Sequence, residues 1–252
     1  MKLIFLILLF VNILFGDTLK VYFYTTEANI NNYKSLKVSF DAYLRDHGDY
    51  EFQPFNDKKT FEKYLKDKNS IVILSSWHYK KIAKEYNLEA KLVAQKKDTF
   101  TDTKILVGQK NISLNGVVAS AYDNEYANEL LITLANNKSN KLSILIVPKE
   151  IDALMSVGFG MSQFALVSKD SFKLLKEINP LLSKSLQIYH ESEPKYRMLL
   201  TCSEIDNQKN ELVSVFQEMG FTESGKSILK MIGVDKLVVL SSNDLENLGG
   251  LK

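Results

Sequence analysis

The stretch KLVAQKKDTFTDTKILVG, residues 91–108, holds two apolar runs, KLVAQ and KILVG, joined by the polar KKDTFTD. Both runs read as strands by their aliphatic and β-branched content, and the linker between them has no room for a helix. Elsewhere in the chain strand alternates with helix. Two strands in succession therefore mark a crossing out of one α/β lobe toward another.

Upstream of the crossing, LKVYFY (19–24) is a strand that runs into the polar loop TTEANINN. Leu36, Phe40, Tyr43 and Leu44 recur at helical spacing and stop before Gly48. YEFQPF reads as a second short strand. Phe61, Tyr64 and Leu65 mark a second helix, opened by Asn56 or Asp57 as cap. SIVILSS is a continuous apolar run of the kind buried on both faces of a parallel sheet. A third helix carries Tyr79, Ile82, Ala83 and Tyr86 on one stripe. This alternation predicts a doubly wound unit.

Downstream, a second α/β set begins with GVVAS and a helix bearing Ala127, Leu130, Leu131 and Leu134 on one face. LSILIV follows, then a helix opened by Pro148 near its first turn, with Ile151, Leu154 and Met155 facing inward. QFALVS and a helix through Phe172, Leu175 and Ile178, ended by Asn179–Pro180, complete the set. LQIYHES and RMLLTC again read as strands, the second beginning the return crossing. Two tail helices carry Leu212, Val215, Phe216 and Met219, then Ile228, Leu229 and Ile232, with Gly220 and Gly233 at their ends. The expected division is a first lobe over 17–105, a second over 106–196, and a return to the first over 197–252.

Composition excludes some partners. The 252 residues carry 32 basic and 30 acidic side chains, a formal net charge of +2, with no dense Lys/Arg block to track a phosphate backbone. Nucleic acid is not an expected partner. The amino terminus, MKLIFLILLFVNILFGDTLK, has a positive Lys2, an apolar run from Leu3 to Phe15 broken only by Asn12, then Gly16 and Asp17. This is the layout of an export signal over residues 1–16, cut near Gly16, and the run is shorter than the roughly 20 apolar residues of a spanning helix. A periplasmic location is expected. Cys202 is the one cysteine, so no intramolecular disulfide forms, and no cysteine follows the apolar run to carry a lipid. In RMLLTCS it reads as a small buried strand residue.

No catalytic motif emerges. His47, His78 and His190 sit on separate segments without metal-ligand spacing, and no G-x-S-x-G elbow is present. GFG at 158–160 is too short for a dinucleotide fingerprint and reads as a helix stop. No cofactor, metal or enzymatic activity is expected.

The segment IDALMSVGFGMSQFALVSKDSFKLLKEINPLLSKSLQIYHESEPKYRMLLTC (151–202) resembles the periplasmic phosphate/phosphite/phosphonate-binding proteins of ABC importers. It has the helix ending in glycine, the strand, the helix ending in NP, the next strand and the S-x-P turn into the return crossing. The tail FTESGKSILKMIGVDKLVVLSSNDLENL (221–248) is similar to that family's ending. The resemblance implies the type 2 two-lobed periplasmic binding protein fold, a small phosphate- or phosphonate-like oxyanion as ligand, and an inner-membrane ABC permease as partner, with the protein acting as a monomer. Alternatives of the same fold are a ligand-sensing module for a membrane sensor kinase and the lyases of menaquinone or thiamine precursor metabolism; the latter work in the cytoplasm, against the export signal.

Strands of an open α/β sheet deliver their C-terminal residues to the cleft, which places Ser168 at the lip of the second lobe. The family commonly has an aspartate there, so serine keeps a hydrogen-bonding group and loses the charge. The family's phosphoryl site is an STSG-like stretch at a helix N-terminus. Here AYDNEYANELL (121–131) follows the strand, leaving Ser120 as the hydroxyl, Tyr122 to stack or donate, and Asp123 and Glu125 to repel an anion. In the first lobe, Thr25 and Thr26 end the first strand, and Ser75, Ser76, Trp77, His78 and Tyr79 end the third. Their hydroxyls could receive an anion and the sole Trp could stack on a ring. Equally, a serine there could only cap the helix and Trp77 could only fill core. Trp77 is expected in the cleft with Ser168 facing it across the lobes.

Overall fold

Alternation along the first strand, β1 (Leu19–Tyr24), divides the first lobe into two layers. Leu19, Val21 and Phe23 enter one buried cluster, and Tyr22 and Tyr24 enter another on the opposite face of the sheet. Side chains of a strand point alternately to its two faces, so a strand with apolar residues on both faces needs cover on both. The computed structural model describes residues 18–27, 30, 32–135 and 141–248; the expected export signal over 1–16 lies outside them.

After β1 come α1 (Tyr33–Arg45), β2 (Tyr50–Pro54), α2 (Lys58–Tyr64), β3 (Ser70–Leu74), α3 (Ser76–Tyr86) and β4 (Glu89–Gln95). Leu36, Phe40, Tyr43 and Leu44 are the buried stripe of α1, as their spacing predicts. Asp57 caps α2, accepting from Thr60 N at 2.7 Å. β2 and β3 flank β1 and run parallel to it.

The crossing over 96–103 contains β5 (Thr101–Asp102) and leads to β6 (Lys104–Gln109), already part of the second sheet. The expected boundary at 105/106 therefore falls inside a strand; sheet membership moves it to the segment between Gln95 and Lys104. The second lobe continues with β7 (Gly116–Ser120), α4 (Asn124–Ala135), β8 (Leu142–Ile146), α5 (Glu150–Gly158), β9 (Phe164–Ser168), α6 (Lys169–Ile178), α7 (Pro180–Ser185) and β10 (Leu186–Glu191). β11 (Lys195–Tyr196) pairs with β5 as a two-stranded hinge ribbon, and β12 (Leu199–Cys202) re-enters the first sheet. The tail is α8 (Asn207–Glu218), a 3-10 turn over Met219–Phe221, α9 (Glu223–Met231), β13 (Lys236–Val239) and α10 (Ser242–Asn247).

Strand order is β13-β4-β12-β3-β1-β2 in the first sheet and β10-β6-β9-β7-β8 in the second. Each sheet has a parallel core of three strands, and each takes in one strand from a crossing. β12 runs antiparallel between β3 and β4, and β6 antiparallel between β9 and β10. Ile105 and Val107 of β6 pack toward α5 and α6, and Leu106 packs toward α4. The two-lobed α/β architecture read from residues 91–108 is the observed one.

Local readings differ in three places. Pro148 precedes the cap residue Lys149 of α5 instead of standing in its first turn. Asn179–Pro180 ends α6 but also starts α7, with Asn179 Oδ1 accepting from Leu182 N at 3.1 Å. The tail adds an edge strand, β13, to the first sheet. Gly160, with φ +72°, closes the turn after α5, where a side chain would be strained. Cys202 is buried in β12, and burial pushes its thiol pKa up, so it is an inert core residue. Among the described residues no helix is long and apolar enough to cross a membrane.

Candidate functional site

The C-terminal ends of β1 and β3 in one lobe and of β7 and β9 in the other converge between the lobes, where open α/β sheets hold their ligands. Most of the hydroxyls delivered there are used internally. Thr25 is buried, its Oγ1 accepting from Glu27 N at 3.1 Å, and Thr26 is half-buried beside it. Ser75 caps α3, accepting from His78 N at 3.2 Å. Tyr79 faces the first-lobe core and donates to Leu88 O at 3.2 Å: two positions along a helix from Trp77, it points away from the cleft. Ser76 donates to the hinge carbonyl of Tyr196.

In the second lobe the expected ligand groups converge on a carboxylate. Glu150, 3% exposed at the start of α5, accepts from Ser168 N at 3.0 Å and from Ser168 Oγ at 2.5 Å. The Ser171 hydroxyl and the Tyr122 phenol also donate to it. Tyr122 is fully buried, and its N–H donates to the equally buried Ser120 Oγ at 3.1 Å. Ser168 also caps α6. Ser120, Tyr122 and Ser168 therefore build the wall of the cleft around Glu150, where the sequence reading has them meeting a ligand.

Lys104 is buried where the two lobes and the hinge meet. Its side chain is 2% exposed, and Nζ lies 2.9 Å from Glu27 of the first lobe and 2.9 Å from Asp102 of the hinge. The ammonium also sits 5.1 Å from the centre of the Tyr122 ring. Burial works against its charge, but Glu27, Tyr122 and Asp102 outweigh burial and hold the pKa well above the ordinary lysine value.

The lobes also touch along α4. Lys58 of α2 reaches Glu125 at 2.6 Å and Asp123 at 3.9 Å, and Lys81 of α3 reaches Glu129 at 2.5 Å and pairs with Glu125. Trp77 Nε1 donates to Glu129 at 2.6 Å. Asp123 accepts from Glu125 N at 2.9 Å, so a carboxylate already serves the α4 N-terminus. An oxyanion placed there would meet two acidic side chains, and the cations that could neutralise it are engaged. His78 is sealed in the core, with Nε2 2.8 Å from Glu62, and Nδ1 has no partner among the described residues. Protonation would bury an unpaired N–H, and burial lowers its pKa against the opposing pull of Glu62.

Two cavities lie near these contacts. One cavity, of about 530 Å³, is walled by Ser76 and Trp77 of α3, by Tyr126 and Thr133 of α4, and by Tyr196 of the hinge. Lys80 and Lys195 stand at its edge, without an ion-pair partner among the described residues. The other, of about 140 Å³, lies against Glu27, Asp102, Glu150 and Ser168. Trp77 does border the cleft, but it and Ser168 line different cavities and do not face each other across one ligand volume. Lys104, Glu27, Asp102, Glu150 and Tyr126 escape the sequence reading. The one available signal is Lys104 itself, a charge opening an otherwise apolar strand.

No family model matches the chain, and no curated protein matches its sequence. Solved structures do match its fold. XAC2383 from Xanthomonas citri, bound to ATP, is 13% identical with a TM-score of 0.69, covering 93% of this chain and 95% of that one. The binding-protein component of an ABC phosphonate transporter from Pseudomonas aeruginosa (PA3383) is 13% identical with a TM-score of 0.66, covering 92% and 85%. PhnD1 from Prochlorococcus marinus, in complex with methylphosphonate, is 15% identical with a TM-score of 0.63, covering 92% and 96%. The chain has the two-lobed periplasmic binding protein fold.

Proposed function

We propose that this chain is an exported solute-binding protein that holds a small organic molecule bearing an oxyanionic group between its lobes and delivers it to an inner-membrane ABC permease. The carrying observation is the cavity of about 530 Å³ bounded by both lobes and the hinge. Its volume falls in the range of small-molecule sites. Trp77, Tyr126, Tyr196 and Leu130 supply apolar wall, and Ser76 and Thr133 line it with hydroxyls whose protons go to Tyr196 O and Glu129 O. Glu129 lies in the wall already paired with Lys81 and Trp77, and Lys80 and Lys195 supply positive charge at the edge. An organic body fits the walls and an anionic head fits the lysines. The α4 N-terminus, with its own carboxylates, is not where the head binds. The role is binding and release, without chemistry on the solute.

The test is a thermal-shift screen of the protein from Asp17 onward against aliphatic and aryl phosphonates, sulfonates and carboxylates, nucleotides, inorganic phosphate and amines. A ligand specific for the folded state adds about 2.7 kcal/mol at a hundred times its dissociation constant. Stabilisation by organic anions that is weakened in Lys80→Glu/Lys195→Glu supports the reading. A folded protein stabilised by inorganic phosphate alone, or by nothing in the panel, opposes it.

A further inference from the structure

We propose that Glu27, Asp102 and Tyr122 form a primary-ammonium site that the protein fills with its own Lys104, so that the lobes close on a tethered cation without any solute. The observation behind it is a charge in a place the fold does not need one. Lys104 opens β6, whose next residues are the buried Ile105, Leu106 and Val107, and its pairing with Ser168 of β9 is made by backbone. A strand start at the cleft could expose a lysine to water; this one is 2% exposed.

Its surroundings match what an ammonium requires. Three N–H donors need acceptors, and a buried positive charge needs negative charge or a π face close by. Two carboxylate oxygens at 2.9 Å and a phenol ring at 5.1 Å supply these. The three groups come from three parts of the molecule: Glu27 follows β1 of the first lobe, Asp102 lies in the hinge ribbon, and Tyr122 follows β7 of the second lobe. All three surround one cation only while the lobes are together. Lys104 thus takes the position a bound amine would take, and ties the lobes as a bound amine would.

The tether makes this occupation hard to compete with. A group on a short chain faces its site at a local concentration on the order of millimolar or more, so a free amine at micromolar concentration does not displace it. The wild-type protein therefore rejects amine-bearing solutes at this site. This inference does not depend on what the larger cavity binds.

The test is chemical rescue. Lys104→Ala removes a group equal in size to n-propylammonium. Small-angle scattering and the emission of Trp77, the sole tryptophan, report lobe closure. The solute-free wild-type protein should be closed and indifferent to n-propylammonium. Lys104→Ala should show a larger radius of gyration and red-shifted emission, both reversed saturably by n-propylammonium but not by tetramethylammonium or n-propanol. A variant that stays closed without amine, or opens and is not closed by amine, or responds equally to the alcohol, overturns the proposal. Should Lys104→Ala not fold, Glu27→Gln leaves Lys104 and Asp102 in place and weakens only the first-lobe side. It should open the lobes while unfolding remains cooperative, and persistent closure in Glu27→Gln is equally contrary.

Discussion

Trp77 of the first lobe donates its indole N–H to the carboxylate of Glu129 in the second, at 2.6 Å. Around this bond Lys81 pairs with Glu129 and Glu125, and Lys58 with Glu125. The sole tryptophan therefore stands where the lobes meet, and its emission reads their separation. These side chains are partly exposed, so salt should weaken them. Raising ionic strength from about 0.1 M to about 1 M shortens the Debye length from about 10 Å to about 3 Å. The expected outcome is a progressive red shift of Trp77 emission in the solute-free protein, smaller in Glu129→Gln. Emission that ignores salt in both proteins would mean these pairs do not govern the interface.

Acid should loosen the same contact. Lys58 and Lys81, by hydrogen bonding and charge, hold the Glu125 carboxyl at about 2, below its ordinary value near 4.3. A depressed carboxyl pKa stabilises the state that has it at all pH above the ordinary value, and this contribution is lost as pH falls through the depressed one. Closure should therefore be full above about pH 4.5 and decline toward about pH 2. Scattering across this window checks it, and Glu125→Gln should flatten the part of the pH dependence due to this residue. Because Glu125 is half exposed, the effect belongs on lobe separation before global stability.

The Glu150 cluster predicts a stability effect independent of any ligand. Tyr122→Phe keeps the ring but removes one of the donors on a buried carboxylate. An unsatisfied buried polar group costs about 1–3 kcal/mol, so the urea midpoint should fall by a corresponding amount with an unchanged m value. Were Tyr122 instead a ligand residue with a spare hydroxyl, the midpoint would stay and only binding would change.

The lobes and their order are legible in the sequence because burial on both faces makes β1 apolar from Val21 on, β3 from Ile71 on and β9 up to Val167, and because the two strand-like runs at 91–108 leave no room for a helix between them. The cleft is legible only as a place. All nine expected ligand residues follow or stand near strand ends, yet Ser75 serves its helix, Tyr79 the core, and Ser120, Tyr122 and Ser168 the Glu150 cluster. Sequence spacing locates a hydroxyl but does not say which neighbour takes its proton. Lys104 is harder still, because its partners at positions 27 and 102 meet it only when lobes and hinge come together.

The central claim is that the cavity beside Trp77 binds an organic oxyanion through its lysine edge. Calorimetric titration of the wild-type protein with the best organic anion of the screen, repeated on Lys80→Glu/Lys195→Glu and on Thr133→Phe, tests it most directly. The account predicts saturable single-site binding to the wild type and a loss of at least about tenfold in affinity, about 1.4 kcal/mol, in each variant. Wild-type affinity retained in both folded variants would place the ligand elsewhere and contradict the account.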